Sequence, residues 1–182
     1  MIFRETKLRG SFIIELEAFG DERGFFALSW SKKEFAERGL ESELAECNIS
    51  FNNNKGTLRG MHYQESPHGQ VKLVRCTRGG IFDVAIDLRP ASPTFKQWVG
   101  VELTANNRLM FYIPKGFAHG FQTLESDSEV FYQMSAPYVP GSGRGVRWND
   151  PAFGIEWPAR EDVIFNKRDR TYPDFGQEGN RR

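Results

Sequence analysis

The chain has 182 residues, 39% of them hydrophobic and 14% aromatic, which suits one globular domain with a well-developed core. Its 24 Lys and Arg residues balance 24 Asp and Glu residues, which argues against a general nucleic-acid binder but leaves local basic clusters available for a small anion. The two cysteines, Cys47 and Cys76, lie in no metal-like spacing, which speaks against a disulfide scaffold and makes a reducing cytoplasm the simplest compartment.

The N-terminal stretch "MIFRETKLRGSFIIELEAFGDERG" has no long apolar run and carries acids throughout, so neither a signal peptide nor a membrane span is expected. Within it, "GSFIIELEAF" is the first of several strand-like runs rich in Val, Ile, Phe and Tyr. "SKKEFAERGL" predicts an amphipathic helix, from an N-cap at Ser31 with Glu34 at the third helical position to a stop at Gly39. "RGMHYQESPHGQVKLVR", Arg59 to Arg75, reads as a β-hairpin turning near Pro67. In that register His62 opposes Lys72 and Gln64 opposes Gln70, and all four project from one face. Strict alternation sends Arg59 and Arg75 to the other face, unless a bulge at Gly60 shifts the parity.

The strand pattern continues through "VKLVRC", "GIFDVAIDLR", "QWVGVELT", "RLMFYIP" and "SEVFYQMS", with Gly, Pro, Asn or Ser clusters separating most of them. In "FYIPKGFAHGFQTLESDSEVFYQM" two strands meet across "ESDSE", which brings His119 near Tyr132. The tail "RDRTYPDFGQEGNRR" is expected to be mobile after Phe175. No repeat or linker divides the chain, so residues 1–182 are read as a single all-β domain, a sandwich or barrel with few helices.

Small barrels of this type often hold a metal through an HxH pair, a glutamate and a third histidine. Here "HYQ" stands in place of HxH, and His68 falls in the predicted turn, away from His62. Three ligands suffice for some metals, yet the expectation is that no metal is bound. A face carrying His62, Gln64, Gln70 and Lys72 needs partners if buried, or a ligand if it lines a cavity.

The segments "DERGFF", "KGTLRGMHYQ", "QVKLVRCTRGGIFDVAIDLRPASPTF", "IPKGFAHGFQTL", "VFYQMSAPYVP", "VRWNDPAFGIEWP" and "KRD" occur in an order that covers Asp21 to Asp169. Together they resemble the dTDP-4-dehydrorhamnose 3,5-epimerase family, cupin-fold enzymes of deoxysugar nucleotide synthesis. The resemblance implies a cupin jelly roll and epimerisation at carbon 3, carbon 5 or both of a dTDP-4-keto-6-deoxyhexose, without any cofactor. It implies His62 as the base, Asp169 as its orienting carboxylate and Tyr132 as the acid on the opposite face. It further implies Lys72 as stabiliser of the enolate oxygen, with His119 assisting in substrate binding. Arg23 and Arg59 match the ligands of the nucleotide diphosphate, Arg168 replaces a usual lysine, and Tyr138 matches an aromatic residue near the sugar.

The same resemblance implies a cytoplasmic homodimer that exchanges an N-terminal strand and whose partner is a small-molecule nucleotide-diphosphate sugar, not nucleic acid or membrane. Departures at Leu28, Cys47 and Gly143 fall on the nucleotide-binding side, so the chemistry is read more firmly than the nucleobase. Competing readings are a ketoisomerase acting on a related nucleotide sugar, a catalytically silent sugar-nucleotide-binding cupin, and a metal-dependent cupin isomerase or oxygenase.

Overall fold

The computed structural model describes residues 1–176; most of the tail expected to be mobile lies outside the described residues. In chain order the elements are β1 (Ile2–Glu5), β2 (Phe12–Glu15), β3 (Ala18–Asp21), β4 (Gly24–Ala27), α1 (Lys32–Glu37), β5 (Glu46–Asn52), β6 (Leu58–Gln64) and β7 (Lys72–Arg78). They continue with β8 (Gly80–Asp87), β9 (Trp98–Thr104), β10 (Met110–Ile113), β11 (Phe117–Thr123), β12 (Ser128–Met134), β13 (Gly143–Gly145) and α2 (Lys167–Arg170).

Two antiparallel sheets face one another, one in the order β1-β2-β10-β7-β12-β5 and the other in the order β13-β6-β11-β8-β9. This is the jelly-roll sandwich of the cupin class. Alternation along the strands decides what fills it. Val74 of β7, Ala85 of β8, Phe111 of β10, Phe121 of β11 and Val130 of β12 meet between the sheets. On the outer face of the six-stranded sheet, Leu73, Met110 and Tyr112 pack under Phe35 of α1. The outer face of the five-stranded sheet, with Met61, Val84 and Ile86, is covered by Phe153, Ile155 and Trp157 of the C-terminal segment.

Helix α1 forms where predicted. The Ser31 side chain accepts a hydrogen bond from Glu34 N at 3.3 Å, and Gly39 takes the left-handed conformation, φ +68°, that ends the helix.

The hairpin predicted around Pro67 is not formed. β6 and β7 belong to different sheets: His62 pairs with His119 and Gly145, and Lys72 pairs with Ile113 and Met134. The connector between them closes one local turn, His68 N to Glu65 O at 2.8 Å, and otherwise bonds to residues 135–142. Glu65 N reaches Ser142 O at 3.0 Å, Ser135 N reaches Val71 O at 3.1 Å while Val71 N reaches Ser135 Oγ at 2.8 Å, and Gln70 Nε2 reaches Ala136 O at 2.6 Å. Gln64 donates to His68 O and Pro137 O and accepts from Val139 N and Ser142 Oγ. The two glutamines thus satisfy loop backbone, and the chain crosses from one sheet to the other.

The bulge at Gly60 does occur. His62 pairs with His119 but Arg59 pairs with Phe121, so β6 carries one more residue than β11 across this step. Gly60 has φ +136°, and a Cβ there would lie 2.5 Å from Gly120 Cα, so only glycine fits. The extra residue returns Arg59 to the face of His62.

β3 and β4 form a separate ribbon with no partner in either sheet. Its Phe19 and Phe26 are 75% and 76% exposed.

Candidate active site

A cavity of about 290 Å³ opens between the sheets. Asn48, Ser50, Lys72, Tyr132 and Met134 line it from the six-stranded sheet, and Arg59, His62, His119 and Phe121 from the five-stranded one. Asn166 and Asp169 enter from α2 and its N-cap. Six of the residues singled out in the sequence, Arg59, His62, Lys72, His119, Tyr132 and Asp169, therefore share one cavity. They come together across the sandwich, not along a hairpin.

His62 Nε2 lies 2.7 Å from Asp169 Oδ1. Asp169 is buried and locked at three points: its N–H donates to the Asn166 cap at 2.8 Å, Oδ2 accepts from Gly60 N at 3.2 Å, and Oδ1 faces the imidazole. A carboxylate so held selects the tautomer with the proton on Nε2 and leaves Nδ1 as the free base.

Lys72 Nζ donates to His62 O at 3.3 Å. Burial pulls its ammonium pKa down to about 8, with the charge of Asp83 opposing the fall. His119 Nε2 lies 2.7 Å from Asp83 Oδ1, both residues being buried. Burial draws the His119 pKa below its ordinary 6.5 in spite of that carboxylate, so the ring is neutral at pH 7. The Tyr132 ring meets His119 in a T-shaped arrangement with centroids 6.2 Å apart. Burial, then the charge of Asp83, push the Tyr132 phenol well above its usual range, so it keeps its proton.

Asp83 escaped the sequence reading. Its signal was a carboxylate inside the apolar run "GIFDVAID", where an unpaired charge is too costly to lack a partner. The sequence reading also passed over Asn166, which caps α2, and Asn52, whose Oδ1 accepts from Arg59 Nε at 2.8 Å.

Arg168 and Tyr138 stand outside the cavity lining, beside β13. A Cβ on Gly143 would meet Arg168 Nη2 and the Tyr138 hydroxyl, each at 3.5 Å, so the two side chains converge over this bare position. Arg23 does not join the others. It sits on the β3–β4 ribbon, largely exposed and ion-paired to Asp21 at 2.5 Å, away from the cavity of its own chain. Among the described residues, β3 pairs with β4 alone, and the Arg23 side chain hydrogen-bonds to Asp21 of the same ribbon.

The arrangement places a histidine–aspartate pair on one wall and a neutral phenol on the other, with an ammonium group and a neutral imidazole nearby. Such a cavity suits proton removal and return on opposite faces of a carbon acid whose charge develops on an oxygen.

Comparison with known proteins points the same way. A family model described as dTDP-4-dehydrorhamnose 3,5-epimerase matches residues 5–177. The dTDP-4-dehydrorhamnose 3,5-epimerase of Salmonella typhimurium is 44% identical over 174 residues, 95% of this chain and 94% of that protein. The crystal structure of the Elizabethkingia anophelis enzyme of the same name superposes with a TM-score of 0.95 at 40% identity, covering 99% of this chain and 98% of that one. The Legionella pneumophila dTDP-6-deoxy-D-glucose-3,5-epimerase, solved in complex with dTDP-4-keto-L-rhamnose, gives a TM-score of 0.86 at 42% identity over 92% of this chain and 89% of its own.

Proposed function

The chain belongs to the dTDP-4-dehydrorhamnose 3,5-epimerase family, and on that premise we propose that it inverts carbons 3 and 5 of a dTDP-4-keto-6-deoxyhexose. The observation that carries the residue assignment is the pair of opposed walls, with the His62–Asp169 hydrogen bond of 2.7 Å on one and the protonated Tyr132 on the other.

Each inversion is a deprotonation followed by a reprotonation. His62 Nδ1 takes the proton from the carbon next to the ketone, and the C–H electron pair delocalises onto the ketone oxygen. The Lys72 ammonium stabilises that enolate, and neutral His119 adds a hydrogen bond in substrate binding. The Tyr132 hydroxyl then gives its proton to the opposite face of the carbon as the ketone re-forms. Solvent resets both side chains, taking a proton from His62 and returning one to Tyr132. The same set serves carbon 3 and carbon 5 in turn, and no electrons leave the substrate, so the reaction needs no redox cofactor.

Arg59 and Arg168 are assigned to the nucleotide diphosphate, since planar guanidinium groups pair with phosphate oxygens, and Tyr138 to the sugar-nucleotide beside them. Arg23 is assigned to the same phosphates, reached from a second copy of the chain. A protruding ribbon with two phenylalanines three-quarters exposed calls for cover, and a homodimer supplies it while carrying Arg23 to the neighbouring cavity.

Two experiments test this reading. In deuterated water, proton NMR is expected to show solvent deuterium at carbons 3 and 5 of the product; exchange at neither carbon would refute the function. For the shared site, Arg23→Ala and His62→Asn are each expected to be nearly inactive. Mixing them under subunit exchange regains activity, because the hybrid dimer holds one site with both residues intact. Failure of a demonstrated hybrid to regain activity would return Arg23 to a surface role.

A further inference from the structure

The base is held at one atom. Among the described residues, the His62 imidazole has a single hydrogen bond, from Nε2 to Asp169 Oδ1 at 2.7 Å, and its side chain is 40% exposed. One bond to one ring nitrogen leaves the plane of the ring free to tilt, whereas proton abstraction requires the other nitrogen to keep one direction.

A second contact is present, and it comes from the helix that supplies the carboxylate. α2 ends at Thr171, whose N–H donates to Arg168 O at 3.1 Å. The next residue, Tyr172, lays its ring on β13. A Cβ built on Gly145 would lie 2.3 Å from Tyr172 Cζ and 2.4 Å from Cε2, so the ring rests on bare backbone that only glycine leaves open. Gly145 is the residue paired with His62 across the sheet. From this seat the ring meets the imidazole in a T-shaped arrangement, with centroids 6.2 Å apart and planes at 68°. The hydroxyl is buried without a hydrogen-bond partner among the described residues, and the Arg168 guanidinium lies over the ring, 5.7 Å from its centroid.

We propose that Tyr172 is a positioning residue for proton abstraction, its ring, seated on Gly145, fixing the plane of the His62 imidazole that the Asp169 hydrogen bond alone leaves free. α2 and the residue just past its C-cap thus form a two-point clamp, with Asp169 on the ring nitrogen and Tyr172 on the ring itself. The proposal rests on the assignment of His62 as the base.

The test compares Tyr172→Ala, Tyr172→Leu, Tyr172→Phe, Gly145→Ala and the double variant Gly145→Ala/Tyr172→Ala with wild type and His62→Asn. Each is assayed for kcat, KM and solvent deuterium exchange, and its thermal unfolding midpoint is recorded. Removing the ring is expected to lower kcat about 10- to 100-fold, as misplacement of a reacting group does, while KM changes far less. Tyr172→Phe restores at least about half of the wild-type kcat, because the ring and not the hydroxyl makes the contact. Gly145→Ala unseats the ring and loses as much as Tyr172→Ala, and the double variant loses no more than either, because the two changes break one contact. Should Tyr172→Ala not fold, Tyr172→Leu and Gly145→Ala carry the same comparison.

Wild-type kcat in folded Tyr172→Ala or Tyr172→Leu would overturn the proposal. So would a loss in Tyr172→Phe equal to that in Tyr172→Ala, since the hydroxyl would then be the acting group. Retained exchange in His62→Asn would instead overturn the base assignment, so the two failures are told apart.

Discussion

His62→Asn lowers turnover by about 10²–10⁴-fold, the range that a positioned general base contributes, while the protein keeps its fold. Asparagine fills much of the imidazole volume and can still hydrogen-bond to Asp169, so the buried carboxylate is not abandoned. It offers no basic nitrogen, however, and the first proton cannot be taken from carbon. Asp169→Asn acts by a different route on the same step. The amide oxygen can still accept from Gly60 N, which turns the amide NH2 toward the imidazole, so the side chain no longer selects the Nε2–H tautomer or offsets the imidazolium that forms on proton abstraction. Its kcat falls while the apparent affinity for the nucleotide sugar stays near wild type, since neither Asp169 nor its hydrogen bonds reach the diphosphate side. Steady-state kinetics with a dTDP-4-keto-6-deoxyhexose separate the two parameters. A large rise in KM at unchanged kcat in either variant would place these residues in substrate binding instead.

The second large effect concerns pH. Lys72 must be charged to stabilise the enolate, and burial brings its pKa down to about 8. The rate is therefore expected to fall as pH rises through about 8. This fall is not unfolding caused by Lys72. Its folded pKa lies below the ordinary 10.5, so between about 8 and 10.5 the unfolded chain binds more protons than the folded one, and this group's contribution to stability increases with pH. Activity and the Lys72 contribution to stability move in opposite directions over that window.

Asp83 is the lever on this limb. Its buried carboxylate holds His119 at 2.7 Å, and its charge is what keeps the Lys72 pKa from falling further. Asp83→Asn retains a hydrogen-bonding group for His119 but removes the charge. The alkaline limb of kcat/KM then moves to lower pH, by about one unit or more for the loss of a nearby opposite charge in a buried site. A profile measured from pH 5 to 10 on wild type and Asp83→Asn reads the displacement directly. An unmoved limb would mean that Lys72 is not the group that sets it.

Much of this structure is legible in single residues of the sequence. Ser31, Glu34 and Gly39 announce α1 by capping chemistry that acts within a few residues, and the Val-, Ile-, Phe- and Tyr-rich runs "GIFDVAIDLR" and "SEVFYQMS" mark strands by equally local composition. Gly60 is an intermediate case: strict alternation sends Arg59 away from His62, and the glycine marks only where a bulge can return it to the face of His62. What local pattern does not carry is the partner of each strand. "HYQESPHGQVK" has the turn residues of a hairpin, yet Gln64 and Gln70 find better hydrogen bonds on residues 136–142 than on one another. His62 and Lys72 therefore meet across the sandwich. The two residues share a site as expected, by a geometry other than the one expected.

Asp83 and Tyr172 show the other limit. Each acts on a residue far away in sequence, Asp83 on His119 and Tyr172 on His62, and each looks ordinary beside its own neighbours. Only the carboxylate betrayed itself, by standing in an apolar run. Arg23 is the converse case: motif resemblance singled it out, but its ribbon belongs to neither sheet of its own chain, so the phosphate role proposed for it requires a second copy.

The central claim is that removal and return of the proton occur from opposite walls by different residues. Solvent exchange in deuterated water with Tyr132→Phe tests it most directly, with proton NMR following both deuterium content and configuration at carbons 3 and 5. Tyr132→Phe is expected to incorporate deuterium still, because His62 abstracts the proton and returns a solvent-derived one to the same face, but with the configuration retained. Inversion at wild-type rate in Tyr132→Phe, or exchange that persists in His62→Asn, would contradict it.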